Sequence, residues 1–235
     1  MRELGHAVLD PDGVRALLAT DARELDALSP FWDRLAPDTY LKDGGRYRRR
    51  RHACFVVTPE RIEPVAHRPH WQPLEYNALH GGMQRWFEPI EAPMLALPAW
   101  SKLLHALAAR ADALHGAQPW YVEAHPFRID TTDGIGRPTP EGAHRDGVDL
   151  VAVFLVARHH IKGGETRVFD ADGPHGIRFT MQQPWTLLLL DDRRVIHEST
   201  PIQPTGDCAH RDTLVITLRA GGFQGPASRV DVVPA

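Results

Sequence analysis

The apolar positions of this chain follow two periods, and the change falls near residue 119. In "PAWSKLLHALAARADALHG", residues Trp100, Leu103, Leu104, Leu107, Ala111 and Leu114 recur at three-to-four spacing before Gly116. That pattern predicts an amphipathic helix with a glycine stop. Nearer the start, "DPDGVRALLATDARELDAL" opens on Asp and Pro start signals and carries Val14, Leu17, Leu18 and Leu25, so one helix is expected within the first thirty residues. Between the two helices "RYRRRRHACFVV" reads as a strand, followed by a Pro- and His-rich connection over 59–94. A connection of that length inside a compact domain is expected to carry function, here as a lid.

Beyond 119 the chain becomes short β-prone runs separated by Gly, Pro and Asp: "WYVEAHPFRI", "VDLVAVFLVA", "TRVFD", "GIRFTM", "WTLLLL", "RVIHEST" and "DTLVITLR". No helical crossover fits between them, which argues against a parallel sheet and for a sandwich or open barrel. The expected plan is one α+β domain over 1–235. Helices and a strand in 1–118 buttress a jelly-roll-like β core in 119–220.

Composition narrows the function classes. With 43% hydrophobic and 24% charged residues the chain is ordinary globular protein, and a formal net charge of -3 gives no general attraction to nucleic acid or to an anionic membrane. The basic run at 46–51 is the local exception. Strand alternation sends Arg48 and Arg50 to one face and Arg49 and Arg51 to the other. A solvated strand edge is the first expectation, and an inward arginine serving an acidic ligand the second. Cys54 and Cys208 form no C-x-x-C pair and the N-terminal stretch has no secretory pattern, so a reducing cytoplasm is the expected location.

Chemistry enters with "EGAHRDGVDL" at 141–150. If this stretch is extended, residues i and i+2 share a face, so His144 and Asp146 converge while Arg145 turns away. Alone, the triplet fits a metal grip, a proton-transfer pair or a plain loop. A kinase "HRD" loop is set aside, because no Gly-rich loop precedes it and no D-F-G follows. Two imidazoles and one carboxylate form the set that holds non-haem Fe(II) with positions left open. His197, 53 residues on (197 - 144) in "RRVIHESTPI", is the best third ligand. His159 and His160 lie at the far end of the strand that follows the pair, while His67 and His70 read as surface or lid residues. In "HRDTLVITLR", Arg211 has Thr213 two positions on, a guanidinium and hydroxyl on one face that suit a dicarboxylate.

Together these motifs resemble the 2-oxoglutarate/Fe(II) dioxygenases. More narrowly, "HRDGVDLVAVFLVARHHIKGGETRVFD", "LLLLDDRRVIHESTPI" and "HRDTLVITLR" resemble a bacterial 2OG-Fe dioxygenase family that includes hydroxylases of free L-isoleucine and related amino acids, and a biofilm- and stress-associated member. The likeness is carried by about residues 120–220. It implies a double-stranded β-helix of jelly-roll, cupin-like type, Fe(II) on His144, Asp146 and His197, and 2-oxoglutarate held at its distal carboxylate by Arg211 beside Thr213. With O2 it implies hydroxylation of an aliphatic C–H, releasing succinate and carbon dioxide. The implied partner is a small molecule, first a free amino acid of isoleucine or leucine type. The alternatives are a peptide or carrier-bound residue, or a non-catalytic jelly-roll regulator.

Candidate substrate contacts lie on the strand before the triplet, where Tyr121, Glu123 and His125 share a face; Tyr121 and His125 are the candidates there. One departure from the family pattern is Pro126, after the histidine of "HPFRI". A bulge at that proline is expected to turn Arg128 inward to meet a substrate carboxylate. Glu165, in the "KGGE" connection, is the last candidate to face the iron cavity.

Overall fold

The computed structural model describes residues 1–226. At the N-terminus β1 (His6–Leu9) leads into α1 (Pro11–Leu18) and α2 (Ala22–Asp26). Each helix is opened by an aspartate: Asp10 accepts from the Gly13 amide at 2.8 Å and Asp21 from the Glu24 amide at 2.9 Å. The one helix expected here is therefore two. Ala19 adopts a left-handed φ of 47° and ends the first, and the Asp21 carboxylate restarts the second. A 3-10 turn over Ser29–Arg34 follows. The expected single strand "RYRRRRHACFVV" is also split, into β2 (Arg48–Arg50) and β3 (Ala53–Val57). The long connection contains β4 (Ile62–Pro64) and ends in the short α3 (Ala92–Leu95). α4 (Pro98–His115) forms over the spacing that predicts it, buries Trp100, Leu103, Leu104, Leu107 and Ala111, and stops at Gly116 with φ 90°.

The remaining elements are strands: β5 (Trp120–Asp130), β6 (Leu150–His159), β7 (Ile161–Gly163), β8 (Thr166–Asp170), β9 (Gly176–Phe179), β10 (Leu187–Asp191), β11 (Val195–Ser199), β12 (Ile202–Pro204) and β13 (His210–Arg219). One large sheet runs β1-β10-β6-β13-β5-β3-β4, with β2 also paired to β5. Two smaller sheets, β11-β8-β9 and β12-β7, complete a double-stranded β-helix. Alternation sorts the side chains of the large sheet. Val122, Ala124, Ala152, Phe154, Leu214 and Ile216 pack on Trp100, Leu103 and Leu107 of the helical layer. Val151, Leu155, Leu188 and Leu190 instead meet Val168 and Val195 of a small sheet. β10 reads as an unbroken apolar run because both of its faces are covered: Leu187 and Leu189 join the first core, Leu188 and Leu190 the second. No helix among the described residues is long and apolar enough to cross a membrane.

The basic run is not the solvated edge first expected. Arg48 and Arg50 are 5% and 4% exposed. Residues 36–38 cover the outer edge of β2, with the Asp38 amide on Arg48 O at 2.9 Å and the Arg50 amide on Ala36 O at 2.8 Å. The buried charge is compensated by Asp38, which accepts from Arg48 Nε at 2.7 Å. Burial alone would raise the Asp38 carboxyl, but Arg48 and Arg50 beside it hold it below the usual carboxylate range. Removing one member of a buried pair costs about 3–5 kcal/mol, so Asp38→Asn should lower the melting temperature at pH 7 by roughly 10 °C. Because the folded pKa is depressed, the stabilisation is present above the unfolded pKa and lost as pH falls through the folded one. The difference between wild type and variant should therefore shrink in acid. An unchanged melting temperature at pH 7 would show that Asp38 compensates nothing.

Candidate active site

The triplet is joined to β11 by its backbone. His144 and His197 exchange both amide hydrogen bonds, at 3.0 and 2.9 Å, which sets them directly opposite with ring centroids 4.6 Å apart. Asp146, two residues on, lies 3.8 Å from His144 Nε2 through Oδ1 and 3.8 Å from His197 Nε2 through Oδ2. Those separations exceed hydrogen-bond reach, while one ligand atom from each residue lies within 4.8 Å of the others. The His144 Nδ1 proton is directed to Gly142 O at 2.9 Å, which leaves the Nε2 lone pair for a ligand. Burial drives the His197 imidazole down to about 3, and His144 adds to the effect. Burial would also lower His144, but the Asp146 and Glu141 carboxylates raise it above its ordinary value. Asp146 is raised by burial against the pull of His144. Two imidazoles and a carboxylate crowded in a water-poor site suit a divalent cation such as Fe(II).

The turn that carries Asp146 is built around Asp192, a residue the sequence reading passed over. Its carboxylate is fully buried and accepts three amides: Asp146 at 3.0 Å, Gly147 at 2.7 Å and Val148 at 3.1 Å. Gly147 has φ 75°, and a Cβ there would stand 2.3 Å from the Tyr76 ring, so the turn requires glycine. Gln72 donates to Asp146 Oδ1 at 3.1 Å and is itself held by Asn77 and Arg85. Partners of this outer kind are worth about 10–100-fold in metal affinity. Asp192→Ala, which orphans three amides, should weaken Fe(II) binding within that range while the protein stays folded. Unaltered iron affinity in a metal titration would refute the role.

The triad opens on a cavity walled by alternate residues of β5 and β13. Tyr121, Glu123, His125, Phe127 and Ile129 face it from β5, and Arg211, Thr213, Val215, Thr217 and Arg219 from β13. Arg211 is 4% exposed, yet no carboxylate among the described residues lies within 4 Å of it. Burial, with Arg158 nearby, lowers its guanidinium to about 10. A buried cation without a counter-ion calls for an anionic ligand.

The other sequence candidates divide. Tyr121 and His125 line the cavity, and Tyr121 also meets Phe223 edge-on at 5.1 Å. Arg128 does not reach it. The β5–β13 register runs unbroken through Pro126↔Leu214, so no bulge turns the strand. Pro126 stands opposite Arg51, between β2 and β3: the Arg51 amide donates to Pro126 O at 3.3 Å, and the proline, lacking an N–H, returns no ladder bond. Alternation then sends Arg128 to the opposite face, where it donates to Asp212 at 2.8 and 2.7 Å and meets Asp33 at 2.9 Å. Glu165 is also outside the cavity: two left-handed glycines, Gly163 and Gly164, redirect the chain, and its carboxylate accepts from Arg167 Nε at 2.8 Å.

Residues not singled out beforehand fill the far wall. Glu123 accepts from His52 Nε2 at 2.8 Å and from His70 Nδ1 at 2.7 Å. His70, expected at the surface or in a lid, is thus part of the cavity, as are Gln72 and Arg85 from the same connection. The signal available for Glu123 was its place between Tyr121 and His125 on the alternating strand. No comparable signal marked His52 or His70.

A sequence profile of the family described as 2OG-Fe dioxygenase matches residues 29–217. Among solved structures, a bsmA homologue from Methylobium petroleophilum PM1 is 58% identical, with a TM-score of 0.92 over 96% of this chain and 92% of that one. IDO from Bacillus thuringiensis shares the fold at 15% identity, with a TM-score of 0.75 over 95% of this chain and 96% of that one. TqaL, an Fe(II)/α-ketoglutarate-dependent dioxygenase, does so at 18% identity, with a TM-score of 0.68 over 94% and 86%. No curated protein matches the chain.

Proposed function

This chain belongs to the 2OG-Fe dioxygenase family, and from that premise we propose that it hydroxylates an aliphatic C–H of a small free L-amino acid of isoleucine or leucine type. Family membership makes it an enzyme that uses Fe(II), 2-oxoglutarate and O2. The observation that carries the reading is a single cavity lined by the His144, Asp146 and His197 donors, by the guanidinium of Arg211, which has no ion pair among the described residues, and by the buried carboxylate of Glu123. Charges of both signs around one small chamber favour a zwitterion over an apolar or polymeric substrate.

In this reading His144, Asp146 and His197 hold the iron, and Arg211 receives the distal carboxylate of 2-oxoglutarate with the Thr213 hydroxyl beside it. When bound, iron and 2-oxoglutarate supply the oxidising chemistry that inserts one oxygen atom into the C–H bond, with succinate and carbon dioxide as co-products. The protein's own work is placement and exclusion of water. Two backbone bonds between His144 and His197, and the Asp192 carboxylate under Asp146, hold the three donors in place before any ligand arrives. Phe127, Val153 and Val215 supply the apolar wall against which an aliphatic side chain packs. The 59–94 connection closes the chamber through Gln72 and Arg85.

Anaerobic mixing with Fe(II) and 2-oxoglutarate should produce the weak visible charge-transfer band of the chelate. Its absence at saturating concentrations would sink the assignment of the site. Succinate release on exposure to air should rise with one or more members of a panel of free L-amino acids. A response only to peptides or carrier-bound residues would move the substrate class.

A further inference from the structure

We propose that Glu123 is the anchor for the ammonium group of the substrate, so that the site demands a free amine; this rests on the amino acid reading above. Glu123 is 7% exposed, and the only side chains bonded to it among the described residues are imidazoles. No arginine or lysine stands within 4 Å of its carboxylate among the described residues. An ionised carboxylate buried without a cationic partner is costly in a folded protein and marks a place where a charged ligand binds.

His52, His70, Glu123 and His125 put ligand atoms within 4.8 Å of one another, which by itself would also suit a second metal ion. Arg50 decides against it. A guanidinium can only donate, so Arg50 Nη2 at 2.7 Å makes His125 Nδ1 the acceptor and places the imidazole proton on Nε2. That protonated Nε2, which cannot ligate a metal, is directed to Glu123 Oε2 at 3.7 Å. His52 and His70 reach the same oxygen at 2.8 and 2.7 Å, hydrogen-bonding distances. Burial pushes His70 down to about 3 and lowers His52 and His125, so the three rings are neutral, and His52 and His70 are the donors to Glu123. Burial alone would raise Glu123, but these imidazoles hold it well below the usual carboxylate range. Both donors reach Oε2. Oε1 has no hydrogen-bond partner among the described residues, and the residue lines the cavity.

Position separates this carboxylate from the cosubstrate. Glu123 pairs with Thr217, and Arg211 lies six residues away along the same face of β13 (217 - 211), about 20 Å at 3.3 Å per residue. A five-carbon dicarboxylate spans less than half of that length. The Arg211 end and the Glu123 end therefore serve two different molecules, the cosubstrate and the amine.

The test is calorimetric titration of the anaerobic protein, loaded with Fe(II) and 2-oxoglutarate, with L-isoleucine, L-leucine and their N-acetyl derivatives. In the wild type, N-acetylation should weaken binding by about 30-fold or more, as expected when one partner of a buried charge pair is lost. Glu123→Gln keeps the shape and still accepts from the histidines; it should lose a similar factor for the free amino acids and little for the acetylated ones. The Fe(II)–2-oxoglutarate band, which reads the other end of the cavity, reports whether the variant is folded, and the acetyl comparison needs no variant. Equal binding of free and acetylated ligands, or a folded Glu123→Gln protein that binds L-isoleucine like wild type, overturns the role of Glu123 and leaves the amino acid reading standing. If no free amino acid binds the wild type, that reading falls and this inference with it.

Discussion

Replacing Arg211 with methionine should raise the 2-oxoglutarate concentration that half-saturates the Fe(II) chelate band by about 100-fold, since truncating one member of a buried charge pair costs 2–5 kcal/mol. The size of the effect follows from the environment. Arg211 is 4% exposed and has no protein carboxylate within 4 Å among the described residues. On the proposed assignment a dicarboxylate would be its counter-ion rather than a competitor for an existing ion pair. Methionine keeps the apolar stem of the side chain and removes its charge, so the backbone pairing of Arg211 with Ile129 should survive. Enough added 2-oxoglutarate should restore the band. Lysine should give an intermediate loss, because it keeps the charge but not the paired hydrogen bonds of a guanidinium. A shift smaller than tenfold in the methionine variant would show that the distal carboxylate binds elsewhere.

His197→Ala should fail in a way that 2-oxoglutarate cannot repair. Outer partners of metal sites are worth about 10–100-fold, and His197 is placed in the inner set, so turnover should fall by more than about 100-fold, with little iron retained after desalting. The backbone bonds between residues 144 and 197 do not need the imidazole, and alanine leaves them in place. Loss of activity with an unchanged melting temperature is thus the expected pair of results, read from iron content, succinate release and thermal unfolding together. Substantial turnover in this variant would mean that His197 is not a ligand. The two substitutions also distinguish each other, since one is rescued by cosubstrate and the other is not.

Much of this architecture was legible from local pattern. Residues 98–115 repeat apolar positions at helical spacing because one face packs on the sheet, and α4 forms there. The seven short β-prone runs after 119 become β5, β6, β8, β9, β10, β11 and β13, whereas the three-residue β7 and β12 were marked by no run of their own. His144 and Asp146 share a direction because they sit two apart in an extended segment, and Arg211 and Thr213 share the cavity face for the same reason. The errors are equally local. A left-handed Ala19 split one expected helix, and Pro126, read as a bulge, instead interrupts the edge pairing between β2 and β3 while the β5–β13 register runs straight past it. Arg128 therefore kept the alternation of its strand and went to Asp33 and Asp212.

By itself the sequence narrowed the chemistry: a His-x-Asp pair and a distal histidine supply the donor types of a non-haem iron site, and the likeness of the surrounding motifs to 2-oxoglutarate/Fe(II) dioxygenases implied the iron and the role of Arg211. Only the tertiary structure decided what stands across from them. His52, His70 and Glu123 come from three separate segments and meet around one carboxylate oxygen. Arg48 and Arg50 were taken from the surface to the interior by the 36–38 segment and Asp38. The physical reason is range. Strand and helix periods act over a few residues, whereas the compensation of a buried charge depends on partners brought together by sheet pairing from across the chain.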